Sequence, residues 1–450
     1  MTNNSLLIGI LLSAGSFVAA RAATPLVGNE LTADNKQYQP MTIDQLFDRA
    51  EDMSKSLRTQ KTGVEAAEHG IADAKSKRLP DINTTLSVSY IGNVLLTDRD
   101  FTDVHGMSSP HFGNSFSLEA RQTIYSGGAL TAGIRLAEMG KQQAEIGTRL
   151  TRNQVRFMAL GQYLDLFKID NRMKVYEKNI QLTEQLIANI REKQAQGMAL
   201  KNDITRYELQ METLKLAVTT LRNNREICNH ELCNTLGLST DTYIQPDTTL
   251  TAQTYAMGSE AEWQNRATTT SPLLEQSALN IDMARQREKL AKSELLPKIA
   301  VVAADNFNGP ITFELPPINK NLNVWYLGVG INYNLSSLFK SNKRVRQAAV
   351  ETRQMQEAHA LSAENLNNNM QQAYVKYRQT YSELATQQKS VELADQNYGV
   401  MKSRYLNQMA LVTDMVDASN LLLNAELQEV DAHINIVYAY YRMKFVAGNL

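Results

Sequence analysis

Two aspartates, Asp414 and Asp417, stand three residues apart in the segment Asp414-Met415-Val416-Asp417-Ala418. At that spacing they share one face of a helix. Carboxylates so placed gather negative charge, and where several copies meet round one opening they attract cations and resist full ionisation together. The plainer reading is a pair of solvated side chains near a helix start, capping it or favouring its dipole. Chemistry elsewhere is sparse. The six histidines, His69, His105, His111, His230, His359 and His433, show no metal-ligand spacing. The run Cys228-Asn229-His230-Glu231-Leu232-Cys233 offers Cys, His and Cys, yet residues five apart do not share a helical face. A joint metal site or a bridge there is strained, and buried or idle thiols are expected. His105 and His111 with Asp103 fall in one connecting loop, where a surface metal site is the alternative to plain loop residues. No glycine-rich phosphate cradle, nucleophile motif or convergent catalytic set is present, so no enzyme, resident metal or cofactor is expected.

What must position these residues is a chain of long elements. Its 450 residues hold only 22 Gly and 10 Pro, few for several loop-rich domains. Lys plus Arg (46) balance Asp plus Glu (47), so no charge excess draws the chain to nucleic acid. Residues 1–23 run from a polar start through an apolar stretch, Leu6 to Ala20, into Ala-Arg-Ala, the order of a secretory signal. No Lys or Arg precedes the apolar run, and no cysteine follows it to carry a lipid anchor. Beyond it no stretch of about 20 apolar residues occurs, so membrane residence would require a β-barrel.

The chain is written twice. Ala74-Lys-Ser-Lys-Arg-Leu-Pro-Asp-Ile82 returns as Ala291-Lys-Ser-Glu-Leu-Leu-Pro-Lys-Ile299. Gln196-Gly-Met-Ala-Leu-Lys-Asn-Asp203 returns as Asn407-Gln-Met-Ala-Leu-Val-Thr-Asp414. The spacing predicts a tandem duplication, 24–240 and 241–450, each half running helix, strand, loop, strand, long helix, short break, helix. Each Leu-Pro pair marks a helix-to-strand junction, because proline removes an amide donor and biases the residue before it away from helix.

After the first junction Ile82, Thr84, Leu86, Val88 and Tyr90 alternate with Asn83, Thr85, Ser87 and Ser89, the period of a strand with one apolar face. Phe116, Leu118, Ala120 and Ile124 alternate likewise on a return strand, and Trp325, Leu327, Val329, Ile331, Tyr333 and Leu335 on the last. The strand after Pro297, Ala300 to Ala304, is apolar throughout. Ile146, Leu150, Asn153, Phe157, Leu160, Leu164 and Phe167 then step by four and three in a proline-free stretch. A helix from Ala129 to Ala195 is about 100 Å long, too long for a compact domain. Asn342 to Arg404 predicts a second, followed by Val416, Asn420, Leu423, Leu427, Val430, Ile434, Val437 and Tyr441 at the same spacing. Such seams pack helix on helix as in coiled coils, and the helices alone suit a soluble periplasmic coiled-coil adaptor or scaffold equally well. That reading leaves the strand pairs without purpose. Four amphipathic strands leave open edges, and closure by identical copies removes them; three copies give twelve strands, a number that barrels use.

The order of elements, Leu-Pro before each strand pair, Ile124-Tyr125-Ser126-Gly127-Gly128 at the strand-to-helix passage and the Asp414 to Ala418 segment together resemble the TolC family of outer-membrane efflux channels. The resemblance covers nearly all of the chain after the signal. It implies a mainly α protein with a β-barrel portion: a homotrimer with long coiled-coil helices forming an α-helical barrel and four strands per protomer in a twelve-stranded transmembrane β-barrel, set in outer-membrane lipid and extending into the periplasm. It implies a passive exit duct of a tripartite efflux or type I secretion system, docking on a periplasmic adaptor (membrane fusion) protein and an inner-membrane RND or ABC pump, and gated at its periplasmic mouth. Asp414 and Asp417 match the family's acidic ring, Tyr405 matches a latch tyrosine and Asp203 sits where a latch partner lies. Ala410 stands where better-known members carry a latch arginine, so the resemblance supplies no charge-pair latch here.

Overall fold

The computed structural model describes residues 37–450 other than 252, 254, 256 and 257; the expected signal segment 1–23 lies outside them. Strand β1 (Gln37–Met41) leads into α1 (Ile43–Met53), which Thr42 caps through a reciprocal pair of hydrogen bonds with Gln45. Ser54 then ends α1 and starts α2 (Lys55–Ser76). Leu79-Pro80 stops that helix, and β2 (Asp81–Tyr90) begins at the next residue. In the second half α5 (Glu260–Thr270) and α6 (Pro272–Ser293) precede Leu296-Pro297 and β7 (Lys298–Gly309) in the same way.

Strands β2, β5 (Phe112–Tyr125), β7 and β8 (Leu322–Asn332) form one antiparallel sheet in that order. Its register puts Leu86 opposite Phe116, Phe116 opposite Phe307, and Ala303 opposite Leu327, all on one face with Val88, Trp325 and Val329. The other face is mixed, with Val302, Leu322 and Val324 among polar side chains. There Ser115 Oγ donates to Asn308 Oδ1 (2.6 Å) and Ser117 Oγ to Asn306 Oδ1 (2.8 Å). The two outer strands, β2 and β8, are exposed at every residue and, among the described residues, pair with nothing on their outer edges.

The strands differ in extent from the periodicity. β7 runs twelve residues, well past Ala300 to Ala304, because Asp305 to Asn308 still find partners on both sides. β8 stops at Asn332, three residues before Leu335, since Asn334 Oδ1 accepts from Ser336 N and Oγ and turns the chain into the next helix. A short hairpin, β3 (Val94–Leu96) with β4 (His105–Met107), fills the first connecting loop.

At Ser126-Gly127-Gly128 the sheet passes into α3 (Ala129–Ala195). Both glycines have positive φ (63° and 88°). A side chain on Gly127 would also meet the Ser293 carbonyl at 2.8 Å, so the motif is a tight crossing against the end of α6. Helix α3 spans about 100 Å at 1.5 Å per residue. It is followed by α4 (Lys201–Leu236), and in the second half α7 (Ser337–Leu406) is followed by α8 (Val412–Ala447). The expected seams are buried or half-buried at every position named above. Among the described residues, no helix is long and apolar enough to cross a membrane.

Midway along the helices the main core gathers Leu46, Leu160, Tyr163, Leu232, Met370, Tyr377, Val437 and Met443 from α1, α3, α4, α7 and α8. It encloses a parallel strand pair that periodicity does not reveal, β1 with β6 (Thr242–Pro246). Buried Arg225 holds this pair to the helices: Nε and Nη2 donate to Asp170 (2.5 and 3.2 Å), Nη2 also to the Ile244 carbonyl (2.9 Å), and the guanidinium lies 3.5 Å from the Tyr243 ring centre. Cys228 and Cys233 are free thiols, and Cys233 Sγ donates to the Thr242 carbonyl (3.3 Å).

Candidate functional site at the helical hairpin tips

At the end of the helices remote from the sheet, two breaks turn the chain back: Gln196 to Leu200 between α3 and α4, and Asn407 to Leu411 between α7 and α8. Both turns are left-handed at the same repeat position. The first uses Gly197 (φ 74°), the second Gln408 (φ 60°), 211 residues on. Glycine adopts this conformation freely, whereas a residue with a Cβ is strained by about 1–2 kcal/mol.

The aspartates that open the returning helices act alike. Leu200 N donates to Asp203 Oδ2 (3.4 Å), and Leu411 N donates to Asp414 Oδ2 (3.0 Å). Asp414 and Asp417 are both exposed at the start of α8. The repeat counterpart of Asp417 is Arg206, so the second hairpin tip carries two carboxylates where the first carries one carboxylate and one guanidinium.

Behind the turns, all four helices meet in one small core. Leu186, Ile187 and Ile190 of α3, Ile204 and Tyr207 of α4, Tyr405 of α7, and Val412 and Met415 of α8 pack together. Burial, then the nearby Asp203 carboxylate, push the Tyr405 hydroxyl up to about 12. Tyr207 is 1% exposed and burial pushes its hydroxyl up still further; that hydroxyl has no hydrogen-bond partner among the described residues.

Two hydrogen bonds join one tip to the other. Lys193 Nζ, two residues before the end of α3, donates to the carbonyl of Leu406, the last residue of α7. Gln408 Nε2 donates to the Met198 carbonyl (3.4 Å). Beside them lies an open cleft of about 630 Å³, where Lys193, Asp203, Arg206, Tyr405, Gln408 and Ala410 all face the space between the tips. The small side chain of Ala410 leaves this space unfilled.

The structure therefore brings Asp203, Tyr405, Asp414 and Asp417 to one end of the molecule, with Asp203 beside Tyr405 and the other two outward on α8. Sequence reasoning missed Lys193, Gln408 and Tyr207. Gln408 had a signal, since it replaces Gly197 in the repeat; Lys193 had none, because its acceptor is a backbone carbonyl. Among the described residues, no three His, Cys, Asp or Glu side chains are grouped to hold a metal ion.

A four-stranded sheet with one apolar face, carried on paired helices about 100 Å long that end in two joined hairpins, has clear relatives. Residues 263–449 match the family described as outer membrane efflux protein. Outer membrane protein TolC of Salmonella enteritidis is 20% identical over 446 residues, covering 94% of this chain and 85% of that protein. Residues 263–449 place the second half of the chain in the outer membrane efflux protein family, and the chain over its length is similar to TolC. Among solved structures, CusC aligns with a TM-score of 0.76 at 13% identity, covering 95% of this chain and 96% of that one. VceC of Vibrio cholerae aligns with a TM-score of 0.73 at 12% identity, covering 90% and 96%. These matches support an efflux duct of a tripartite system, resident in the outer membrane and extending into the periplasm. The outer membrane efflux protein family is one of transport ducts rather than enzymes, and its channels in general work as trimers with adaptor proteins and inner-membrane pumps.

Proposed function

We propose that three copies of this chain close their sheets into a twelve-stranded barrel and their helices into one tunnel, forming a passive exit duct. One observation carries this reading: β2 and β8 are long, exposed on both faces and, among the described residues, unpaired at their outer edges, while the sheet they bound has one apolar face. Such edges and such a face are stable only when paired and placed in lipid. The same succession of elements in 24–240 and 241–450 supports two repeats arising by duplication, each contributing one strand pair and one helical hairpin.

The hairpin tips are the periplasmic mouth of this duct. Three copies bring six carboxylates from Asp414 and Asp417 to one opening, an arrangement that favours cations. Tyr405 and Asp203, with the two bonds between the tips, hold the mouth closed. A periplasmic adaptor docks on the helices, and an RND or ABC pump in the inner membrane supplies the energy that a passive duct lacks. Cross-linking of the detergent-extracted protein with planar-bilayer recording tests the core of this reading. Trimers and stepwise single-channel conductance are expected; protein that is soluble without detergent and cross-links only as monomers overturns it.

A further inference from the structure

The passage from β8 into α7 carries a charge distribution that the helix itself disfavours. From Tyr333 to Val350 there are four basic residues, Lys340, Lys343, Arg344 and Arg346, and no acidic one, although the whole chain has a net charge of −1. They lie in the first three turns of α7, and Lys340 is in the first turn, where the positive end of the helix dipole repels cations. Arg344 pairs with Glu294 (2.7 Å), but Lys340, Lys343 and Arg346 form no ion pair among the described residues. The corresponding passage into α3 shows no such run: from Ala129 to Glu138 it has one basic and one acidic residue.

A second observation lies beside the charges. The apolar face of β8, with Val329 and Ile331 at 68% and 70% exposure, does not end with the strand; Leu335, Leu338 and Phe339 continue it, each more than half exposed. Apolar side chains running directly into unpaired cations form the pattern of a segment at the edge of a bilayer, with the carbon in the acyl region and the ammonium groups among headgroups.

We propose that the start of α7 is a lipid-binding collar: Lys340, Lys343 and Arg346 hold the anionic headgroups of phospholipids at the periplasmic face of the outer membrane, while Leu335 and Leu338 rest against their acyl chains. The proposal rests on the outer-membrane placement of the sheet. Charge complementarity and continuity with the apolar sheet face select this occupant. Uncharged headgroups leave three cations uncompensated beside a helix N-terminus, and anionic ones neutralise them.

Native mass spectrometry of the detergent-extracted protein, titrated separately with phosphatidylglycerol and phosphatidylethanolamine, tests the proposal. The wild type is expected to retain phosphatidylglycerol at lower lipid concentration, with a preference that shrinks between 50 and 500 mM ammonium acetate. Each cation at an anionic surface strengthens association about fivefold, so the triple variant Lys340→Gln, Lys343→Gln, Arg346→Gln should lower the preference by on the order of a hundredfold. A variant with Lys340→Arg and Lys343→Arg should keep it. The salt dependence of the wild type stands even where the triple variant does not fold. Equal retention of both lipids by a detergent-requiring protein overturns the collar alone. So does a preference unchanged in the triple variant, displacement of the lipid by millimolar inorganic phosphate, or a triple variant that falls into single chains, which makes this face a contact between copies. A protein soluble without detergent that retains neither lipid overturns the collar together with the membrane placement.

Discussion

Lys193 on the first helical hairpin reaches across to the carbonyl of Leu406 on the second. Leu406 ends α7, so its carbonyl is one of the groups that a helix terminus leaves without an internal partner, at the negative end of the helix dipole. An ammonium group there satisfies a real vacancy. This tie needs no partner carboxylate. A hydrogen bond from a charged donor contributes about 1.5–3 kcal/mol, so Lys193→Ala should raise the open fraction of the mouth by roughly ten- to a hundredfold. Single-channel recording checks this, and unchanged gating sinks the tie.

Gln408 tests the same interface from the other side. Its left-handed backbone is strained where its repeat counterpart Gly197 is relaxed, while its side chain bonds the Met198 carbonyl. Gln408→Gly should relieve about 1 kcal/mol of strain in the turn and also remove the bond between the tips. The expected result is a protein of equal or higher thermal stability whose mouth opens more readily. Loss of stability would show that the side chain's contact outweighs the backbone strain.

The sequence carried the long-period features of this fold and little of the short-range ones. The α3 seam from Ile146 to Phe167 repeats often enough to fix a helix across 67 residues, and Leu79-Pro80 and Leu296-Pro297 mark both junctions because proline acts locally. The pair β1 with β6 was invisible, since five residues are too few to establish a period and the partner strands lie about 200 residues apart in the chain. At the mouth, residue type pointed to Asp203, Tyr405, Asp414 and Asp417 through family resemblance. It did not show that Asp203 and Asp414 each accept a backbone amide at a helix start, which makes Asp414 both a cap and a candidate ring member.

Tyr405 gives the mouth a dependence on alkaline pH. Its hydroxyl is pushed up to about 12 in the folded protein from an ordinary value of 10, first by burial and then by Asp203. Because the folded-state value is the higher one, its contribution to the closed mouth is complete below pH 10 and is lost as pH rises towards 12. Channel opening should therefore increase over pH 10–12, and Tyr405→Phe should remove that part of the rise. A neutral-pH effect of Tyr405→Phe would separately measure its hydroxyl, worth about 0.5–1.5 kcal/mol if it bonds in the closed trimer. Identical alkaline profiles for both proteins would assign the transition to other groups.

The acidic pair has to be tested without removing the cap. Asp414→Asn keeps an oxygen for the Leu411 amide, and Asp417→Asn changes charge alone, so the double variant removes six carboxylates from a trimer while α8 keeps its start. Cation selectivity and block by multivalent cations are expected to fall together, with thermal stability within about 1 kcal/mol of wild type. Unchanged selectivity would make both residues ordinary solvated side chains, whatever the tunnel does elsewhere.

The two faces of β2 separate a barrel wall from a soluble sheet. Leu86 pairs with Phe116 on the apolar face, and Ser87 pairs with Ser115 on the mixed one, where Ser115 already bonds Asn308. Both positions are exposed in a single chain, so a soluble scaffold would accept arginine at either. In a barrel wall they differ sharply. Leu86→Arg places a guanidinium in the lipid, at about 2–4 kcal/mol near the bilayer midplane, in each of three copies. Ser87→Arg places it in the water-filled interior at little cost. Heat stability of the extracted trimer and its yield in the outer membrane should fall for the first variant and hold for the second. If both variants assemble equally well, the apolar face does not meet lipid and the barrel assignment fails.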